Sequence, residues 1–175
     1  MDFRSRLAAA FQAHGVSRTF SKGEFLIREG DIERSLHLVE NGLLRVFRVS
    51  EFEEQIIRFG YSGDFMSSLS SFIKQTPSEF YIDSVRKTQV RSISRELFYS
   101  IVNEDATTLR SYAEMTEQLV CQQIEREVDL LTGSPAERLE RVLKRSPNLF
   151  QEVPLKYIAS YLRMTPETLS RIRNS

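Results

Sequence analysis

The sequence is poor in the residues that hold metals and disulfides. It has one cysteine, Cys121, in 175 residues. A single thiol excludes an internal disulfide and a four-cysteine iron–sulfur cluster, and it fits a reducing cytoplasm. The two histidines, His14 and His37, stand far apart, and neither sits in an acid–His–acid cluster. A haem ligand pair and the metal centre of a cupin-like enzyme are therefore not expected. The expectation is a protein without metal, cofactor or catalytic residue. No apolar run approaches the ~20 residues of a membrane span. The N-terminal stretch MDFRSRLAAAFQAHG lacks an apolar run followed by a small-residue cleavage site, so it reads as a cap helix and not as a signal peptide.

Net charge is also absent, with 24 Lys and Arg against 24 Asp and Glu. The balance is uneven along the chain. Residues 134–175 carry eight basic against four acidic side chains, and the remainder is acidic by the same margin. A basic C-terminal segment on an acidic body suits a DNA-binding appendage.

Three segments differ in pattern. From about Arg18 to Ser94 short β-prone runs alternate with glycine: Phe25–Ile27, Leu36–Val39, Leu43–Val49, Ile56–Phe59, Phe80–Ile82 and Val90–Ile93. Such spacing predicts a sandwich, jelly roll or barrel. Asn41-Gly42, between two of these runs, predicts a tight hairpin with both turn residues at positive φ. From Ala106 to Leu131 there is neither Gly nor Pro. Leu109, Tyr112, Met115, Leu119, Val120, Ile124, Val128 and Leu131 recur there at spacings that form a helical stripe. A rod of roughly 39 Å with such a stripe is expected to pair with a second copy of itself. Cys121, near that seam, is expected to be a packed small side chain. In Thr132-Gly133-Ser134-Pro135 the residues suit a C-cap, an N-cap and a first helical position, which predicts a hinge.

The last segment predicts a helix-turn-helix. Ile158, Leu162, Met164, Leu169 and Ile172 take inward positions, and Ala159 is small where two helices cross. Thr165 is the expected N-cap of the second helix, with Pro166 at N1. Candidate DNA-contacting residues are Thr165, Glu167, Thr168, Ser170, Arg171 and Arg173: hydroxyls for phosphate, a carboxylate for cytosine N4, arginines for guanine or phosphate. A plain helical hairpin would show the same apolar spacing. Arg163 stands at the turn position that commonly holds glycine, and two residues follow Arg173, too few for a β-hairpin wing.

This order of parts resembles the catabolite-activator (Crp/Fnr-type) regulators. The resemblance rests on Lys22-Gly23-Glu24, Glu29-Gly30-Asp31, Asn41-Gly42 and Gly63-Asp64-Phe65, and on Glu167-Thr168-Leu169-Ser170-Arg171-Ile172. It implies an α+β chain in three parts: residues 1–105 a cyclic-nucleotide-binding-like β-roll (a jelly-roll barrel) with a cap helix, 106–133 a long dimerisation helix and hinge, and 134–175 an all-α helix-turn-helix domain. It further implies a homodimer, double-stranded DNA as partner, possible contact with RNA polymerase, and no membrane.

By the same resemblance the effector pocket comprises Gly63, Asp64, Phe65, Ser67, Ser68, Leu69, Ser78, Glu79, Gln123 and Ile124. Where cyclic-nucleotide binders place a ribose-holding Glu, this chain has Ser68. Where they place a phosphate-pairing Arg, it has Ser78, followed by Glu79. Loss of a charge-assisted pair and gain of a nearby carboxylate disfavour a cyclic phosphate. The expectation is an unidentified small-molecule effector in place of cAMP or cGMP. A ligand-sensing module without DNA binding, acting through protein partners, is the alternative.

Overall fold

The computed structural model describes residues 2–51 and 53–174. Helix α1 (Phe3–His14) opens the chain, capped by the Asp2 carboxylate on the Ser5 amide. Eight strands follow: β1 (Val16–Phe20), β2 (Phe25–Ile27), β3 (Ser35–Asn41), β4 (Leu43–Val49), β5 (Glu54–Tyr61), β6 (Phe65–Met66), β7 (Tyr81–Ser84) and β8 (Thr88–Ser94), with α2 (Leu69–Lys74) between β6 and β7. Helices α3 (Arg95–Val102) and α4 (Ala106–Leu131) come next. The chain closes with α5 (Pro135–Arg145), α6 (Leu149–Glu152), α7 (Leu155–Tyr161) and α8 (Pro166–Arg173). No helix among the described residues is long and apolar enough to cross a membrane.

The strands form two antiparallel sheets, ordered β1-β8-β3-β6 and β2-β7-β4-β5. Neither closes, which corrects the expected jelly-roll barrel: the fold is α+β with two open four-stranded sheets. Closure would require the edge strands to pair across, and β2 and β6 are only three and two residues long. Phe20, Val39, Val90 and Met66 of the first sheet instead share an apolar cluster with Ile27, Leu44, Val46 and Ile82 of the second.

The expected hairpin at Asn41-Gly42 is also corrected. Strand β3 pairs with β6 and β8, and β4 pairs with β5 and β7, so the dipeptide carries the chain from one sheet to the other. Among the two turn residues only Gly42 has positive φ, at 115°. A Cβ there would lie 2.6 Å from the Thr88 Cα. The glycine is required by a crossover and a close approach, and not by a two-residue turn.

Two further clusters build the rest. Phe3, Leu7 and Phe11 of α1 pack on Phe72, Ile93, Phe98 and Ile101. Leu139, Val142, Leu149, Ile158, Leu162 and Leu169 of the C-terminal helices pack on Leu43, Phe47, Ile56 and Phe59 of the second sheet. The helical end thus shares its core with β4 and β5. Each such fully buried side chain contributes about 1.5–3 kcal/mol through removal from water, so this junction is a strong contact.

Polar contacts fasten the same junction. The Ser160 hydroxyl donates to the Glu54 carbonyl at 2.8 Å and accepts from the Ile56 amide at 3.2 Å. Arg86 bonds the Glu152 carboxylate and carbonyl. Arg45 and Asp83, both buried, form a bidentate pair at 2.7 and 2.8 Å. The Arg45 guanidinium also stacks on Phe47 and on Tyr157 of α7, with 4.1 and 4.4 Å to the ring centroids. Burial pushes Arg45 towards the neutral form, but its hydrogen bonds to the Asp83 and Glu54 carboxylates outweigh it and raise its pKa.

Candidate sensor cavity and nucleic-acid interface

The long helix α4 is capped by Asp105, whose carboxylate accepts from the Thr108 amide at 2.8 Å. Its apolar stripe divides between two surroundings. Tyr112 and Met115 pack on the α1–α3 cluster, and Leu119 faces a cavity. Leu109, Val120, Ile124, Val128 and Leu131 remain exposed, Ile124 by 55 % and Leu131 by 83 %. Cys121 is exposed beside them.

The cavity has a volume of about 850 Å³ and lies between α4, the β5–β6 region and the C-terminal helices. Among the expected pocket residues, Asp64, Phe65, Ser67, Leu69 and Gln123 line it. Gly63 supplies the turn before them, at φ 93°. Asp64 accepts from the Tyr61 amide at 2.9 Å, Phe65 stacks on Phe11, and the Ser67 hydroxyl donates to the Ser35 carbonyl at 3.2 Å. Ser68 and Ser78 are 1 % and 2 % exposed, and their hydroxyls bond each other at 2.7 Å. Ser78 further donates to the Phe80 carbonyl and accepts from the Phe80 amide. These two serines are therefore satisfied within the protein and closed off from a ligand. Glu79 and Ile124 are exposed and do not line the cavity.

Several cavity residues carried no signal in the sequence. Arg58 on β5 lines the wall, and Tyr61 is a neutral phenol whose pKa burial pushes up to about 12. Arg126 on α4 stacks on the Tyr161 ring of α7 at 3.8 Å and bonds the Tyr161 carbonyl. Its Nη1 is buried and has no hydrogen-bond partner among the described residues. Burial, foremost, lowers the Arg126 pKa, and the positive charges of Arg163 and Arg145 add to that. One turn on, the fully buried Asp129 is held by Arg141 and Arg145 of α5. A charged residue within an apolar stripe, as at Arg126 and Asp129, looks like a solvated face from spacing alone.

The second candidate surface is the helix-turn-helix. Ser134 caps α5 with Pro135 at its first position, as the hinge residues predict. Arg138 of α5 donates to the Thr132 carbonyl at 2.7 Å and to the Leu162 carbonyl at 2.6 Å, tying the link between α4 and α5 to the turn between α7 and α8. Ile158, Ala159, Leu162 and Leu169 are buried, with Met164 and Ile172 packed on them. Arg163 takes φ 53°, the left-handed conformation that glycine adopts more easily. Thr165 caps α8, accepting from the Thr168 amide at 3.2 Å. Glu167, Ser170, Arg171 and Arg173 lie exposed on α8, and Thr168 is half-buried. Among the described residues no cluster of three or more His, Cys, Asp or Glu could hold a metal.

Residues 17–105 match the cyclic nucleotide-binding domain family. The chain belongs to this family. Its resemblance to the Crp/Fnr regulators holds at the level of the fold. FixK2 from Bradyrhizobium japonicum superposes with a TM-score of 0.76 at 20% identity, over 91% of this chain and 83% of that one. A CooA mutant from Carboxydothermus hydrogenoformans gives 0.73 at 17% identity, over 99% and 83%. CLP from Xanthomonas campestris, a c-di-GMP responsive global regulator, gives 0.72 at 18% identity, over 97% and 90%. No curated protein sequence matches the chain. The two serines that the sequence resemblance sets against a sugar-holding acid and a phosphate-holding arginine are bonded to each other.

Proposed function

We propose that the chain is a homodimeric, DNA-binding transcription regulator of the Crp/Fnr type, whose cavity takes an effector other than a cyclic nucleotide held in the usual way. The observation that carries the DNA reading is α8 itself. It is a capped helix anchored by Leu169, presenting Glu167, Ser170, Arg171 and Arg173 outward. Thr165 and Thr168 sit at its start, where hydroxyls meet phosphate. Two such helices in a dimer would enter successive major grooves about 34 Å apart. Residues 106–133 would form the dimer seam and hinge, between an N-terminal sensor (1–105) and a DNA-binding unit (134–175). An effector bound against α4 would alter the spacing of the recognition helices only if it favoured one arrangement over the other.

The test is selection of a bound sequence from random duplexes, followed by titration by fluorescence anisotropy. Arg171→Ala is expected to weaken the selected site by about 1–3 kcal/mol and to relax one base position. Wild-type protein should also show affinity that falls steeply with salt. Absence of salt-dependent DNA binding would favour a sensing module that acts through protein partners.

The effector reading makes a separate prediction. A cyclic nucleotide with a Kd near 1 μM, present at ~1 mM, would stabilise the protein by about 4 kcal/mol. With Ser68 and Ser78 closed on each other, cAMP and cGMP at that concentration should leave the melting temperature unchanged. A shift of several degrees would show that other residues replace the missing acid and arginine.

A further inference from the structure

The cavity has an unusual end, where α4 meets α7. Arg126 lines it beside Tyr161, and Arg58 lines the same cavity one residue before Phe59, whose ring lies 5.3 Å from that of Tyr161; Arg58 makes no ion pair among the described residues. The Arg126 guanidinium lies flat on Tyr161, one edge spent on the Tyr161 carbonyl and the other edge, Nη1, buried without a partner. The acids on this wall are engaged: Glu125 faces Arg145 at 3.5 Å, and Asp64 accepts from the Tyr61 amide. A half-buried guanidinium with one enclosed, unmet donor is costly, and an oxyanion is the group that best relieves it. Arginine, with its planar fork, binds carboxylate and phosphate in the same way.

We propose that the Arg58–Arg126 end of the cavity is an oxyanion subsite, taking the phosphate or carboxylate of a small effector whose apolar body lies along Phe65 and Leu119. This rests on the reading of the cavity as the effector site. The anion-recognition function has no residue at Ser78, and Arg126 provides one at the other end of the space. The location also gives the anion a mechanical role. Arg126 holds the carbonyl at the end of α7, so an anion on Nη1 draws the same guanidinium that positions the helix-turn-helix. Ligand and DNA-binding unit then compete for, or share, one side chain.

The experiment is thermal unfolding of the full chain with 10 mM pyrophosphate or 10 mM succinate, each against sodium chloride of equal ionic strength. The two probes separate a phosphate from a carboxylate preference. At least one should raise the melting temperature by about 2–4 °C. Arg126→Gln should abolish that shift. Because this variant also loses the Tyr161 contact, Arg58→Gln serves as the second variant: it breaks no ion pair, and it should halve the shift or better. Response to neither probe overturns the proposal, as does a shift that both variants keep undiminished. The DNA titration separates the two readings. A protein that answers pyrophosphate but binds no DNA keeps the subsite and loses the regulator. One that binds DNA and ignores both anions loses only the subsite.

Discussion

Replacing Arg45 with alanine is expected to lower the unfolding free energy by about 3–5 kcal/mol. The reason is the partner left behind. Asp83 is 4 % exposed, and both of its oxygens are bonded by the Arg45 guanidinium. Without that cation a carboxylate stays buried and uncompensated, which costs more than the ion pair itself contributes. The substitution also removes the guanidinium that stacks on both Phe47 of the sheet and Tyr157 of α7. Loss is therefore expected at the junction first, with the C-terminal helices loosening before the two sheets. Urea unfolding measures the total. The paired change Arg45→Met with Asp83→Leu should recover most of the loss, because neither charge then remains. A loss below about 1 kcal/mol for Arg45→Ala would mean that water reaches Asp83, so that the pair behaves like a surface salt bridge.

Ile124→Glu is expected to lower affinity for a two-half-site operator by about 10²–10⁴-fold while leaving the fold intact. Ile124 is more than half exposed and does not line the cavity, so a carboxylate there disturbs no internal contact. In the proposed dimer it lies on the seam with Val120 and Val128, where it would face its own copy. Two recognition helices joined in one particle gain that factor over one helix alone, because the second contact is intramolecular. Sedimentation velocity should give a monomer, circular dichroism an unchanged helix content, and anisotropy the lost affinity. A dimer that survives the substitution would move the seam off this stripe.

What the sequence disclosed follows from the range of the interactions involved. Helix α4, the Ser134-Pro135 start of α5 and the capped α8 were legible because caps, proline at N1 and helical spacing act within a few residues. Thr165, Pro166 and Ser134 do in the structure what their types predict. That the sheets stay open was not legible, since alternation along a strand says which face is buried and nothing of which edges pair. Asn41-Gly42 misled for a related reason. Gly42 does need its positive φ, but the Thr88 backbone that crowds it comes from a strand 46 residues away. Ser68 and Ser78 could be placed through the resemblance, and their mutual hydrogen bond could not. Arg126, Arg138 and Asp129 went unnoticed because a charge on a helix is ordinarily solvated; only the packed junction shows which of them is enclosed.

The double hydrogen bond of Ser160 has a consequence for solubility. Strand β5 is the last in its sheet, so its outward amides and carbonyls are a template for another chain. Ser160 occupies two of those groups, Glu54 and Ile56, with one hydroxyl, and the body of α7 stands over the rest of that stretch. A movement that frees the helix-turn-helix strips this cover and leaves a bare strand rim. In the proposed regulator, an allosteric swing of α7 would thereby be coupled to a hazard of edge-to-edge aggregation, and it would have to stay brief, or be caught by DNA, for the protein to remain dispersed.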